Sequence, residues 1–357
     1  MSSASKEDPP ATGHKDDSNH YPPIHSAGLV AGSPEVDPQR RITLSPSIIP
    51  SEDSVVFKES SFFTRNSRPL PSPAEVRGET ERRRPGHPRN RESPLPLHYP
   101  HLGLTVKYGA RVVVAEGQCL WAVRRLFGST VPVPEVYGWT TDQGVAFVYM
   151  EHVPGETLES RWDQLSKPER LNICGQLRSM VGRIRSLEQP RGDSFIGRGL
   201  CHVIRAHGSR PLLGNVARGR LFDIVFTEGT TRPVGPFPDV KAFHDTLVRL
   251  PYPDRYDPDD SPHPYRGFLP DDAPVVFTHG DLHRSNVMIT PPGQEPRVLA
   301  IIDWCQSGWL PSYWEYNKAC WTGDTRADWA TKYIPLFLDR DNEAYKYWDY
   351  FLLKMGV

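Results

Sequence analysis

The stretch that most constrains this chain is residues 275–318, VVFTHGDLHRSNVMITPPGQEPRVLAIIDWCQSGWLPSYWEYNK. Residues 275–277 form an apolar strand pattern, and His279 opens a polar loop that ends at Asn286. Residues 287–289 and 298–302 read as two further strands, joined by a turn around Pro291, Pro292 and Gly293. Asp303 then emerges at the end of the last strand. Two carboxylates, Asp281 and Asp303, and one amide, Asn286, are thereby presented at strand ends around a single hairpin. Phosphoryl transfer calls for such a set, because its transition state is stabilised mainly by positioning and by cations on the phosphate oxygens. One carboxylate must face an acceptor hydroxyl as base. The other, with the amide oxygen, suits a hard cation such as Mg²⁺, which prefers oxygen ligands.

Upstream, the pattern divides in two. Residues 1–52 are rich in Pro, Ser, Asp and His without periodicity, and such a segment is expected to be a disordered tail. Ser72-Pro73-Ala74-Glu75 has the form of a capping box, and residues 77–99 read as a polar insertion. Residues 104–108 and 111–114 predict two strands about Gly109, followed by a helix over 115–127 with Cys119, Leu120, Val123 and Phe127 on one side. Residues 145–150 form a buried strand, broken at Val153-Pro154-Gly155. Ser166 to Glu169 caps a long helix whose apolar positions are Leu171, Cys174, Leu177, Val181, Ile184 and Leu187. Tyr345, Trp348 and Leu352 mark a packing helix near the end. Residues 53–150 are thus mostly strand with one helix, and 151–357 mostly helix around the hairpin: an α+β chain in two parts.

Composition excludes several classes. A formal net charge of -1 gives no basic field for nucleic acid, and the arginines at 82–84 read as a solvated loop. Five scattered cysteines without a C-x-x-C pattern fit reduced thiols better than a disulfide framework or zinc site. No apolar run approaches the ~18 residues of a membrane span, and residues 1–10 lack the apolar core of a secretory signal. A cytoplasmic protein without a membrane or nucleic-acid partner is expected.

His279-x-Asp281-x-x-x-x-Asn286 followed by Asp303, in the form H-G-D-L-H-x-x-N…I-I-D-W, resembles the aminoglycoside phosphotransferase-like, choline kinase-related family. The resemblance covers roughly residues 55–320 and is most specific over 278–303. It implies a protein-kinase-like fold, with a small sheet lobe and a larger helical lobe, and ATP with Mg²⁺ between them. It implies Asp281 as catalytic base, Asn286 and Asp303 as Mg²⁺ ligands, and His279 as a buried brace of the loop. His283 occupies the place of a loop lysine that meets the γ-phosphate in protein kinases. Lys107 resembles the strand lysine that pairs with the α- and β-phosphates, and Glu116 its ion-pair partner. The backbone of Glu151 and Val153 would meet the adenine. The texture from Pro71 to Val76 resembles fungal members.

Two departures bear on function. No G-x-G-x-x-G precedes Lys107, so a phosphate-covering loop of that kind is absent or atypical. Only residues 304–357 follow Asp303, too few for the activation segment and large helical lobe of a protein kinase, and Gly280 stands where many protein kinases carry Arg. The expected acceptor is a hydroxyl or amine of a small molecule. A nucleotide-binding protein without turnover is the alternative, and a protein kinase is disfavoured. Trp304, Trp309, Tyr313 and Trp314 suit core or rim positions, and Glu315 suits either a cationic acceptor or a helix cap.

Overall fold

The structure, a computed structural model, describes residues 41–84, 96–190, 212–227, 234–252, 263–322, 327–340 and 342–355. Residues 1–40 of the expected tail lie outside them. Residues 41–52 do not behave as tail. β1 (Ile42–Thr43) runs parallel to Leu187 and Glu188, and Leu44 and Ile49 are buried. Averaging over a polar segment hides this small apolar island, which suffices to anchor the chain.

β2 (Ser54–Val56) leads to α1 (Ser61–Arg65) and α2 (Pro73–Arg83). The capping box of α2 is formed: the Ser72 amide donates to Glu75 Oε2 at 2.8 Å, and the Glu75 amide to Ser72 Oγ at 3.3 Å. The expected insertion at 77–99 is therefore too broad. Its first residues continue α2, and its last form β3 (Leu97–Tyr99); residues 85–95 lie outside the described residues. Arginines make the difference. Arg77 pairs with Asp142 and stacks over Phe147, while Arg83 donates to the His98 carbonyl and stacks over Tyr99.

β4 (Leu104–Gly109) and α3 (Val114–Phe127) follow. The strand expected at 111–114 is absent. Val112 bonds back to Gly109, and α3 begins at Val114. The β-branched residues there favour a strand locally, but the chain must turn off the sheet to lay α3 against it, and packing wins. Gly117 permits that close approach, since a Cβ would sit 2.9 Å from the Trp139 ring. β5 (Val136–Asp142) and β6 (Val145–Glu151) complete an antiparallel sheet of order β2-β5-β6-β4-β3. Side chains alternate along β4. Leu104 and Val106 join Phe62, Val76 and Tyr149 in one core, leaving Thr105 and Lys107 on the face toward α3.

Beyond the hinge come β7 (Glu156–Thr157), α4 (Leu158–Arg161), α5 (Lys167–Arg185) and β8 (Leu187–Glu188), the partner of β1. The buried stripe of α5 is Ile173, Cys174, Leu177, Met180, Val181 and Ile184; Leu171, expected in it, is 43% exposed. α6 (Ile224–Thr227) and α7 (Val240–Arg249) precede β9 (Val275–Thr278). β10 (Val287–Ile289) and β11 (Val298–Ile301) form the expected hairpin, with Val287 opposite Ile301, and β7 lies along the other edge of β10. β12 (Gly308–Pro311) pairs antiparallel with β9. α8 (Trp314–Trp321), α9 (Ile334–Phe337) and α10 (Asn342–Met355) close the chain. Trp348 and Leu352 of α10 pack with Trp314 and Phe243 as the sequence pattern suggests. The architecture is the α+β, two-lobed kinase-like one. Among the described residues, no helix is long and apolar enough to cross a membrane.

Candidate active site

Three charged side chains meet where the sheet lobe faces the hairpin. Lys107 Nζ on β4 lies 2.7 Å from Glu116 Oε1 on α3 and 3.1 Å from Asp303 Oδ1 after β11. Lys107 and Glu116 are buried, while the Asp303 side chain keeps 37% of its surface open. Burial would lower the lysine pKa, but Glu116 and Asp303 outweigh it and raise it above its usual value, so the ammonium persists. Burial raises the Glu116 carboxyl, an effect that Lys107 opposes and Asp303 reinforces. For Asp303, burial is overcome by Lys107, and its carboxyl is held below the usual range. Asp303 adopts a left-handed conformation, φ 64°, which turns the chain sharply at the end of β11.

The loop after β9 is fixed mainly by its own backbone. His279 is buried, its Nε2 bonded to the Ile302 carbonyl at 2.9 Å and its Nδ1 accepting from the Asp281 amide at 3.1 Å. Its ring meets Trp304 edge-on, so the expected bracing position and the core position of Trp304 are one contact. The His279 and Gly280 amides donate to the Glu315 carboxylate of α8 at 2.6 and 3.2 Å. Glu315 is 3% exposed, so it holds the loop; its sequence neighbourhood left that role undecided.

Asp281 is only partly buried. Asn286 Nδ2 donates to the Asp281 carbonyl at 2.8 Å and to its Oδ2 at 3.1 Å. With that nitrogen committed, Asn286 offers its Oδ1 to any ligand. The Ile302 amide donates to the Asn286 carbonyl, which sets Asn286 beside the turn into Asp303. An amide oxygen and an ionised carboxylate are suitable Mg²⁺ donors, the remaining positions falling to water and phosphate oxygens. Among the described residues, no group of three or more His, Cys, Asp and Glu is suited to hold a metal unaided. His283 Nδ1 is engaged by the Ser285 hydroxyl at 3.1 Å and its amide at 3.3 Å, and its Nε2 lies 3.9 Å from Glu159.

At the hinge, the Glu151 amide donates to the Glu135 carbonyl, and the Val153 carbonyl accepts from Gly155. The Glu151 carbonyl and the Val153 amide are thus the groups through which these two residues could meet a base. In place of a Gly-rich hairpin, the sheet edge ends in β3, three residues long, and a tight turn at Pro100–Leu102. Asp223, Gln306 and Lys318 escape sequence reasoning. Lys318 Nζ lies 3.0 Å from Asp223 Oδ1 and 2.8 Å from Gln306 Oε1 inside the second lobe. Only the presence of a lysine in the otherwise apolar end of the 275–318 segment hinted at such a pair.

A buried Lys-Glu pair over a loop carboxylate, an amide and a second carboxylate defines a phosphotransfer-type centre. The description "Phosphotransferase enzyme family" matches residues 115–353, two thirds of the sequence, and the chain belongs to that family. Among solved structures it is similar to a thermostable mutant of aminoglycoside phosphotransferase APH(4)-Ia in apo form. That match has 15% identity, covers 71% of this chain and 77% of the other, and has a TM-score of 0.41. It is also similar to APH(3'')-Id from Streptomyces rimosus in complex with ADP and streptomycin. There the identity is 16%, the coverage 79% of this chain and 98% of the other, and the TM-score 0.39. No curated protein matches the chain.

Proposed function

We infer that this phosphotransferase moves the γ-phosphate of ATP to a hydroxyl or amine of a small molecule. The observation that carries the reading is the Lys107, Glu116 and Asp303 cluster beside the loop of Asp281 and Asn286. Lys107, kept cationic by its two carboxylates, binds the α- and β-phosphates. Asn286 and Asp303 hold Mg²⁺, which when bound neutralises charge on the phosphate oxygens. Asp281 orients the acceptor and takes its proton as the acceptor oxygen or nitrogen bonds to the γ-phosphorus. The bond from that phosphorus to the β,γ-bridging oxygen breaks, and ADP leaves. The Glu151 carbonyl and Val153 amide meet the base, and His283, tied to its own loop, braces the catalytic segment.

The short β3 edge favours a second reading, nucleotide binding without turnover, because little covers the phosphates there. One experiment separates them. The melting temperature is measured with ATP, Mg²⁺ and both, followed by ADP release across a panel of small alcohols and amines. Saturation at ~100 times Kd stabilises the native state by about 2.7 kcal/mol. Joint dependence on both ligands, lost in Asp303→Ala, supports the site. Turnover abolished in Asp281→Ala without loss of nucleotide binding supports catalysis. Absence of any nucleotide-dependent shift overturns both readings.

A further inference from the structure

Under the sheet lobe, two imidazoles flank one hydroxyl. His98 Nδ1 lies 3.0 Å from Thr105 Oγ1, which lies 3.3 Å from His152 Nδ1, and the ring centroids are 5.3 Å apart. The three come from β3, β4 and the hinge. His98 is the direct cross-strand partner of Thr105, while its neighbours Leu97 and Tyr99 enter the opposite core. The pair therefore shares the face of Lys107, two residues further along β4. Two residues of strand span roughly 7 Å, room for a ribose between a base at Thr105 and a phosphate at Lys107. The His152 amide donates to the Gly103 carbonyl, which fixes this end of the hinge against the β3–β4 turn.

The array has a fixed proton economy. Thr105 has one hydroxyl proton, so it can donate to only one of the two Nδ1 atoms. At least one neutral imidazole must carry its own proton on Nδ1 and keep a lone pair on Nε2. Burial, with the nearby charges of His152, Arg84 and Arg83, lowers the His98 pKa and favours its neutral form. An outward lone pair accepts from an amine and repels a carbonyl oxygen.

We propose that the His98, Thr105 and His152 array reads the base of the donor nucleotide and selects a purine bearing an exocyclic amine, as in ATP, over one bearing a carbonyl, as in GTP. This rests on the nucleotide reading above. The two are separated by inorganic tripolyphosphate, which needs Lys107 and the cation but no base contact.

The test measures affinities of the full chain with Mg²⁺ for ATP, GTP and tripolyphosphate, in wild type, His98→Ala, His98→Phe and His152→Ala. Phe keeps a planar ring without the lone pair, so it guards against loss of packing at β3. Wild type is expected to prefer ATP by about tenfold, the worth of one hydrogen bond gained or lost. The preference should shrink severalfold in at least one histidine variant, with tripolyphosphate affinity and melting temperature unchanged. Equal affinities for ATP and GTP in wild type, or an unchanged preference in all three variants, would overturn base reading and leave the array a hinge brace. Failure of wild type to bind even tripolyphosphate would overturn the phosphotransfer reading itself.

Discussion

Lys318 Nζ sits 3.0 Å from Asp223 Oδ1, and neither side chain reaches solvent. The pair is well saturated. Asp223 also accepts from the Val225 amide and Trp314 Nε1, and Lys318 donates to Gln306 Oε1, which accepts from the Ile224 amide. One ion pair thus ties the segment leading into α6 and the turn after Asp303 to α8. Removing one partner leaves a buried charge with nothing to oppose it, a loss of about 3–5 kcal/mol. Lys318→Met should lower unfolding stability by that order in urea titrations. The double variant Asp223→Asn with Lys318→Met should recover part of it. An equal loss in both would show that packing, not charge, is what the pair supplies.

Gly280 and Glu315 hold the catalytic loop from two sides. Gly280 has φ 78°, and a Cβ there would stand 2.5 Å from the Gln306 carbonyl oxygen. The sequence shows a glycine where protein kinases carry arginine, and the structure supplies a reason that glycine is needed. Gly280→Ala combines left-handed strain with a backbone clash, so a loss of about 1–3 kcal/mol is expected. Glu315→Ala leaves the His279 and Gly280 amides without their acceptor and should cost a similar amount. Because Glu315 acts through the loop, its loss should lower kcat strongly while leaving nucleotide affinity within a few fold. Glu315→Gln keeps an acceptor oxygen and should restore most of the turnover. A nucleotide affinity that falls in step with kcat would place Glu315 elsewhere in the mechanism.

The chemistry was legible where local sequence and local geometry coincide. Asp281, Asn286 and Asp303 lie within one strand-loop-hairpin unit, and their positions follow from alternation and turn residues. Lys107 and Glu116 were also legible, nine residues apart, because a strand followed by a helix brings them together. Residues 111–114 were misread for the opposite reason: β-branched propensity is local, while the turn that lets α3 return to the sheet is tertiary. The tail boundary and the insertion failed because composition averages over residues such as Leu44, Arg77 and Arg83, whose partners lie far along the chain. Asp223 and Lys318, 95 residues apart, carry no local signal at all.

A last relation concerns pH. His244 is fully out of solvent, with Nδ1 2.8 Å from Asp271 and Nε2 2.6 Å from the Tyr313 hydroxyl; Arg266 also binds Asp271. Burial dominates, opposed by the Asp271 hydrogen bond and assisted by Arg266, and the imidazole pKa falls to about 4. The unfolded chain takes up this proton near pH 6.5, well before the folded chain does. Stability from this group is therefore complete above about pH 6.5 and declines as pH falls toward 4, because the unfolded state binds more protons throughout that window. By pH 5 the loss should be about 2 kcal/mol. His98 and His263 are lowered by burial too, but both are less enclosed, so a variant is needed to assign the slope. His244→Gln should be less stable than wild type at pH 7, and its urea midpoint should fall more gently between pH 6.5 and 5. Parallel slopes for the two proteins would mean that His244 does not govern acid sensitivity, whatever its burial.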